Sequence, residues 1–431
     1  MPRWAAAIGV ALAASAAAAP AVAQTEALRI GVVIPSRTGA IPIETSINDY
    51  TGEGALMGAR SADSELADEA EEAGIRLDLL LANSPTAEAA ERAARRLVEV
   101  EDVSALIGGI GDGQSEVLMK VAADAGVPFL NIGETADALR GAECNRYTFH
   151  VEASDAMYLD AMAALSAARG DTRWFVVHES DAEGAGLRAR AERALAKFAE
   201  DGEVVGSAMV PGQAPSYAEA IDTAESLGAD VTVLLLDPFD QMVFIAQQDS
   251  MGSDVPTLTF PHTLAQTRDY IAAARHEAPE ANPPHRVALW ETTLKADGAE
   301  AFNETFRSRW GEPTDPTAWA AFHAVKILLD AAASTGSSKG EGLVAYLESP
   351  EAEFDLLKGP GTSFRPWDHQ LRQPLYEVNV DQDVEWERLS LPSRIAIAGI
   401  AGQIPEPTVG PEPVEELDRF GDAPEQSACR F

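Results

Sequence analysis

Apolar runs of strand length alternate with alanine-rich segments of helical period along most of the chain. The pattern predicts strands at Leu28–Pro35, Arg76–Ala82, Val103–Ile110 and Pro128–Ile132, with helices near 51–70, 86–100 and 114–125 between them. Such alternation builds a parallel α/β sheet. After Tyr147–Val151 and a helix near 155–168 it restarts at Arg173–Glu179 and continues through 203–210, Val231–Asp237, 257–260 and Arg286–Trp290. The restart predicts a second doubly wound, Rossmann-like lobe rather than an extension of the first sheet. Helices follow near 298–310 and 316–334, then the Thr335–Gly340 break and a short helix near 341–348. The paired runs around 353–364 and 372–389 read as a hairpin, and the Pro-, Glu- and Gly-rich residues 391–431 as an extended arm.

The start of the chain has a different pattern. Arg3 is followed by an almost wholly apolar stretch over 4–19, and Ala21-Val22-Ala23 has the small-x-small form of a cleavage site. Residues 1–23 are therefore read as an export signal and the mature chain as beginning near Gln24, with no cysteine there for a lipid anchor. This places the protein in the periplasm. Roughly 400 residues then remain, which suits two domains.

The chain carries 69 acidic and 32 basic residues, a formal charge of −37, so nucleic acid and anionic membranes are poor partners. The acids are scattered over helix faces such as Glu65 to Glu72, a pattern that serves solubility and lacks metal-loop spacing. Two cysteines in an oxidising compartment, Cys144 and Cys429, predict a disulfide that ties the tail to the first half.

Gly108-Gly109-Ile110-Gly111-Asp112-Gly113-Gln114-Ser115 follows a strand and opens a helix, but Gln114 stands where a dinucleotide fingerprint needs glycine. What survives is a Gly-rich turn with amides at a helix start, suited to an anion near Ser115. Ligands of open α/β sheets sit beyond the carboxyl ends of the strands, so Ser36-Arg37-Thr38 and Gly133-Glu134-Thr135 converge there, with Arg37 as the cation. In the second lobe the matching ends are His178-Glu179-Ser180, Asp237-Pro238-Phe239, Phe260-Pro261-His262 and Trp290-Glu291-Thr292. Aromatic faces beside polar groups suit a flat polar ligand. No G-x-S-x-G, H-E-x-x-H or C-x-x-C motif occurs, and His178 and Glu179 point to opposite faces of a strand, so no enzyme is read.

Leu28-Arg29-Ile30-Gly31-Val32-Val33, Ala105-Leu106-Ile107-Gly108-Gly109 and Gly126-Val127-Pro128-Phe129-Leu130 leading to Gly133-Glu134-Thr135 resemble the type I periplasmic solute-binding proteins, which include the branched-chain amino-acid receptors of ABC importers. The resemblance implies two lobes joined by three crossovers near 152, 292 and 350, closing on a ligand. Lobe 1 would comprise 24–152 plus about 293–350, and lobe 2 would comprise 153–292 plus about 351–390. It also implies that Ser115 and Gly133–Thr135 hold an amino acid's carboxylate and ammonium. Together with the strand-end reading, the expected ligand set is Arg37, Ser115, Gly133, Glu134, Thr135, His178, Asp237, His262, Trp290 and Glu291. Glu134 would repel a ligand carboxylate.

Ser363-Phe364-Arg365-Pro366-Trp367-Asp368-His369-Gln370-Leu371-Arg372-Gln373-Pro374-Leu375 and the tail ending Cys429-Arg430-Phe431 are similar to a branch of that family associated with pyrroloquinoline quinone-dependent alcohol dehydrogenase systems. That similarity implies a role in quinoprotein alcohol oxidation and admits the quinone as a ligand, with no cofactor required. An ABC permease or a periplasmic alcohol dehydrogenase is the implied partner, and a monomer the expected state. The alternatives are a sensor or scaffold without transport and an amino-acid receptor. Read from the residues alone, Arg365, Trp367 and Arg372 are structural. N-terminal sequencing of periplasmic protein should find a start at or near Gln24; a chain retaining Met1 would contradict the signal reading.

Overall fold

The computed structural model describes Met1 and residues 26–36, 48–278, 285–381, 391–406 and 413–431. The expected signal segment, Gln24 and Arg37 lie outside the described residues.

The chain opens with β1 (Glu26–Ile34), α1 (Asn48–Glu65), α2 (Ala67–Glu72), β2 (Ile75–Asn83), α3 (Ala87–Glu99), β3 (Ala105–Gly108), α4 (Gln114–Ala125), β4 (Phe129–Asn131) and β5 (Thr148–His150). These five strands form one parallel sheet in the order β2-β1-β3-β4-β5, with Ile30 opposite both Leu79 and Ala105. β1 is nearly all apolar because it lies inside the sheet with both faces covered.

The second series is α5 (Asp155–Arg169), β6 (Arg173–Glu179), α6 (Ala182–Phe198), β7 (Glu203–Val210), α7 (Ala218–Ser226), β8 (Val231–Leu235), α8 (Pro238–Met251), β9 (Thr257–Thr259), α9 (Arg268–Glu277) and β10 (Arg286–Ala288). Here a parallel sheet runs β7-β6-β8-β9. The chain continues through α10 (Ala299–Trp310), α11 (Pro316–Thr335), α12 (Gly340–Leu347), β11 (Leu375–Val380), α13 (Leu391–Ala396), β12 (Ala398–Ile404) and α14 (Pro413–Asp418). α11 returns to the first lobe, where it packs on α1 and the sheet and is buried along most of its length. β10, β11 and β12 form an antiparallel sheet packed, with α6, against α5. The result is the two-lobed type I architecture.

Two expectations fail in the late segment. Residues 353–364 form no strand; a single bridge, Phe364 to Leu371, replaces the expected hairpin, and Leu375–Val380 pairs with β10 and β12 instead. The expected arm, 391–431, begins with a helix and a strand, and β12 was hidden because two glycines dilute its apolar alternation. The third passage between lobes also comes later than the position near 350. Gln370 still bridges His150 of β5, and Leu375 already belongs to the second lobe, opposite Ile404 of β12.

The three passages meet around one ammonium. Lys358, 2% exposed, donates to Leu289 O at 2.6 Å, Gln373 Oε1 at 2.7 Å and Pro374 O at 3.2 Å, and its Nζ lies 4.1 Å from the Trp319 ring centroid, while burial draws its pKa well below the ordinary lysine value. Gln373 Nε2 then donates to Val151 O at 2.6 Å. Beside this knot Glu152 is fully buried; Oε1 accepts from the Tyr158 hydroxyl and the Ala153 amide, and Oε2 has no hydrogen-bond partner. Burial pushes its carboxyl up to about 7, against the lowering effects of Tyr158 and Arg140.

Lys358→Met should lower stability by roughly 2–4 kcal/mol in urea denaturation, because it strands the Leu289 and Pro374 carbonyls. Glu152 binds its proton more tightly folded than unfolded. Its contribution is therefore fully present below about pH 4.5 and lost as pH rises through about 7. Urea midpoints should fall over that window, and Glu152→Gln should make the fall shallower by roughly 1–3 kcal/mol; an identical pH slope in the variant would refute this.

Candidate functional site

The Gly-rich turn and the β4 turn are built around Asn131, a residue the sequence reading did not single out. Its Oδ1 accepts from Ser115 Oγ at 3.2 Å, Gly133 N at 3.2 Å and Glu134 N at 3.0 Å, while Nδ2 donates to Glu134 O at 2.7 Å. Gly109 makes room for this network: a Cβ there would come within 2.3 Å of Ser115 Oγ and 2.6 Å of Asn131 Oδ1.

Ser115 is fully buried and does not face solvent. The Gly133 and Glu134 amides, expected to hold a ligand, are likewise satisfied from within. Thr135 accepts the Asp155 amide at 2.9 Å and its side chain hydrogen-bonds Asp155, whose carboxyl burial raises to about 7. Gly133 O accepts from Thr263 Oγ1 of the second lobe at 3.1 Å, a direct bond between lobes.

In the second lobe the expected residues separate. Trp290, 1% exposed, is no wall of an open cleft: its indole stacks on Trp319 at 5.5 Å and donates to Asn303 Oδ1 at 3.1 Å. Glu291 is equally inward, paired with Arg268 and accepting from Thr293 N at 3.0 Å. His178 is buried with Nδ1 against Glu179 O at 2.8 Å. Asp237 and His262 do come together, on a cavity of about 250 Å³.

Asp112 of the Gly-rich turn, Glu179 at the end of β6, and Asp181 and Glu183 at the start of α6 complete the charged lining of that cavity. Asp181 caps α6 by accepting the Gly184 amide at 2.7 Å, and Asp237 caps α8 by accepting the Phe239 amide at 2.8 Å. Glu179 Oε1 accepts the Asp237 amide at 2.9 Å, which draws two strand ends together. Burial raises the Glu179 and Glu183 carboxyls; Asp181, Asp237 and Asp240 add to it at Glu179, and Glu134, Asp181, Glu179 and Asp112 at Glu183. Burial lowers the His262 imidazole, whose Nε2 lies 3.0 Å from Leu236 O. No lysine or arginine is among the described lining residues.

Of these five carboxylates the expected ligand set held only Asp237; Glu179 was named at a strand end and Asp112 in the Gly-rich turn without entering the set, and Asp181 and Glu183 were missed, though their helix-start position was the available signal. A larger cavity, about 790 Å³, has Phe239 of α8 in its lining. It is lined from one side by Met57 and Trp310 and from the other by Met242, Leu264 and Tyr270. Among the described residues no group of three or more His, Cys, Asp or Glu side chains is placed to hold a metal ion, and no helix is long and apolar enough to cross a membrane.

A Leu/Ile/Val-binding protein homolog 7 from Brucella abortus (strain 2308) is 26% identical over 254 residues, which are 55% of this chain and 62% of that protein. The chain thus spans less than two thirds of the curated relatives it matches. An amino acid ABC transporter substrate-binding protein from Pseudomonas fluorescens Pf-5 has the same fold, with a TM-score of 0.73 at 17% identity over 94% of this chain and 99% of that one. A solute-binding protein from R. palustris in complex with benzoate aligns with a TM-score of 0.68 at 17% identity, over 94% of this chain and 100% of that one. The model of the family described as periplasmic binding protein matches residues 27–385. With the two-lobed fold it accompanies, that match places this chain in the periplasmic binding protein family, among proteins that bind solutes.

Proposed function

We propose that this protein is a periplasmic receptor for an ABC-type importer and that its interlobe cavity takes a ligand bearing a protonated amine. The observation that carries this reading is the charge of the cavity: five carboxylates around about 250 Å³, with no lysine or arginine among the described lining residues. Burial raises Glu179 and Glu183 and neighbouring acids add repulsion to it; an entering cation relieves that repulsion, whereas an entering carboxylate adds to it. The larger cavity that Phe239 helps to line offers methionine and aromatic surface to an apolar body attached to that amine.

A leucine-like zwitterion fits less well. Its carboxylate would need the Ser115 hydroxyl and the turn amides, which Asn131 already engages. The three carboxylates of pyrroloquinoline quinone meet the same objection, and Arg37 lies outside the described residues. The similarity of Ser363–Leu375 and of the Cys429 tail still supports quinoprotein alcohol oxidation as the setting in which the receptor works.

Calorimetry with spermidine, leucine, benzoate and pyrroloquinoline quinone tests the ligand class. Spermidine should bind, more tightly as pH rises past the ordinary carboxylate range and the two raised carboxyls, Glu179 and Glu183, lose their protons, and more weakly as salt is added. Asp237→Asn and Glu179→Gln, which keep the cap and the amide contact, should each weaken it by roughly 1–3 kcal/mol. Tight leucine or quinone binding without a spermidine response would overturn the ligand class, and no binding by any probe would favour a scaffold.

A further inference from the structure

The lobes are connected once more than their three passages. β12 is a strand of the second lobe's antiparallel sheet, yet Cys429 further along the same chain is bonded to Cys144, which lies just before β5 in the first lobe. The disulfide therefore closes a fourth covalent path from one lobe to the other.

Between these two anchors the described tail touches both lobes and the late segment between them. On the second lobe, Phe420 stacks on Phe198 at 5.1 Å, the Gly421 amide donates to Asp160 at 2.8 Å and Lys197 donates to Gly421 O at 3.2 Å. On the late segment, Arg365 donates to Phe420 O at 3.0 Å, Trp367 to Asp422 O at 3.1 Å, and Arg372 pairs with Asp418 at 2.7 Å. Near the disulfide, Phe431 stacks on His369 at 4.0 Å, and His369 Nδ1 lies 3.1 Å from Thr148 O of β5. Arg190 of α6 reaches both Asp422 of the tail and Asp137 of the first lobe.

We propose that residues 413–431 are a strap across the hinge and that the Cys144–Cys429 bond sets how far the lobes open. The contacts of Phe420 and Gly421 are buried, whereas the ion pairs of Asp418 and Asp422 are partly solvated and individually weak. Anchoring the far end makes each an intramolecular event at high effective concentration, so the strap stays docked on both lobes at once. Reduction of the bond to two thiols frees the first-lobe end: an added phosphine gives two electrons and becomes its oxide, while water supplies the oxide's oxygen and the two protons. The tail contacts must then hold without it, and the lobes are joined by three passages only. The arrangement makes opening redox-sensitive, and an oxidising compartment keeps it restrained.

The experiment uses the full-length oxidised protein without ligand, so its outcome does not depend on the amine assignment. Hydrogen exchange by mass spectrometry and small-angle scattering compare wild type, wild type under a phosphine reductant, Cys429→Ser, and Asp422→Asn with the disulfide intact. Reduction and Cys429→Ser should each raise exchange over 420–431 by about tenfold or more and increase the radius of gyration. Asp422→Asn should raise exchange locally and leave the radius unchanged. If Cys429→Ser fails to fold, the reduced wild type decides. Faster tail exchange with an unchanged scattering profile would overturn the strap, as would no change in either measurement.

Discussion

A buried ammonium must find an acceptor for each of its protons, and in this chain Lys358 finds them only where separate backbone passages meet. That requirement fixes Leu289 and Pro374 next to one another, and Gln373 extends the bond to Val151, so the three crossings form one knot. The aromatic residues around the charge follow from it. Trp319 and Tyr376 present their faces to Lys358, and Trp290 stacks on Trp319 with its edge toward Tyr376. A tryptophan at a strand end is thereby spent on the hinge and not on a ligand.

The alternation of β and α segments was legible because parallel strands buried on both faces read as plain apolar runs and their crossover helices as alanine-rich periods. Both lobes were recoverable from that pattern. The pairing of β11 with β10 and β12 was not, since it joins segments far apart in sequence through backbone bonds that leave no local signature. The cysteine pair was legible from compartment and count alone, and the structure joins the two.

The site was legible in place but not in chemistry. Strand-end reasoning reached Asp237 and His262, yet it took Ser115 and the Gly133–Glu134 amides as free donors, because nothing in a linear sequence reports that Asn131 accepts all three. The acids were misread in the opposite sense. An excess of carboxylates looks like a solvated surface when counted along helices, but Asp181, Glu183 and Asp237 stand where helices begin at the edge of a sheet, and such positions converge. Local charge there is set by topology, not by composition.

Asn131 also bears on how such a scaffold changes its ligand over time. One side-chain amide oxygen engages three donors from two turns, so they are satisfied together, not one by one. Shortening Asn131 would leave all three, and the Glu134 carbonyl that its Nδ2 serves, without that partner at a buried position of the sheet. A lineage carrying this turn therefore changes its donors only together with the packing at the end of β4.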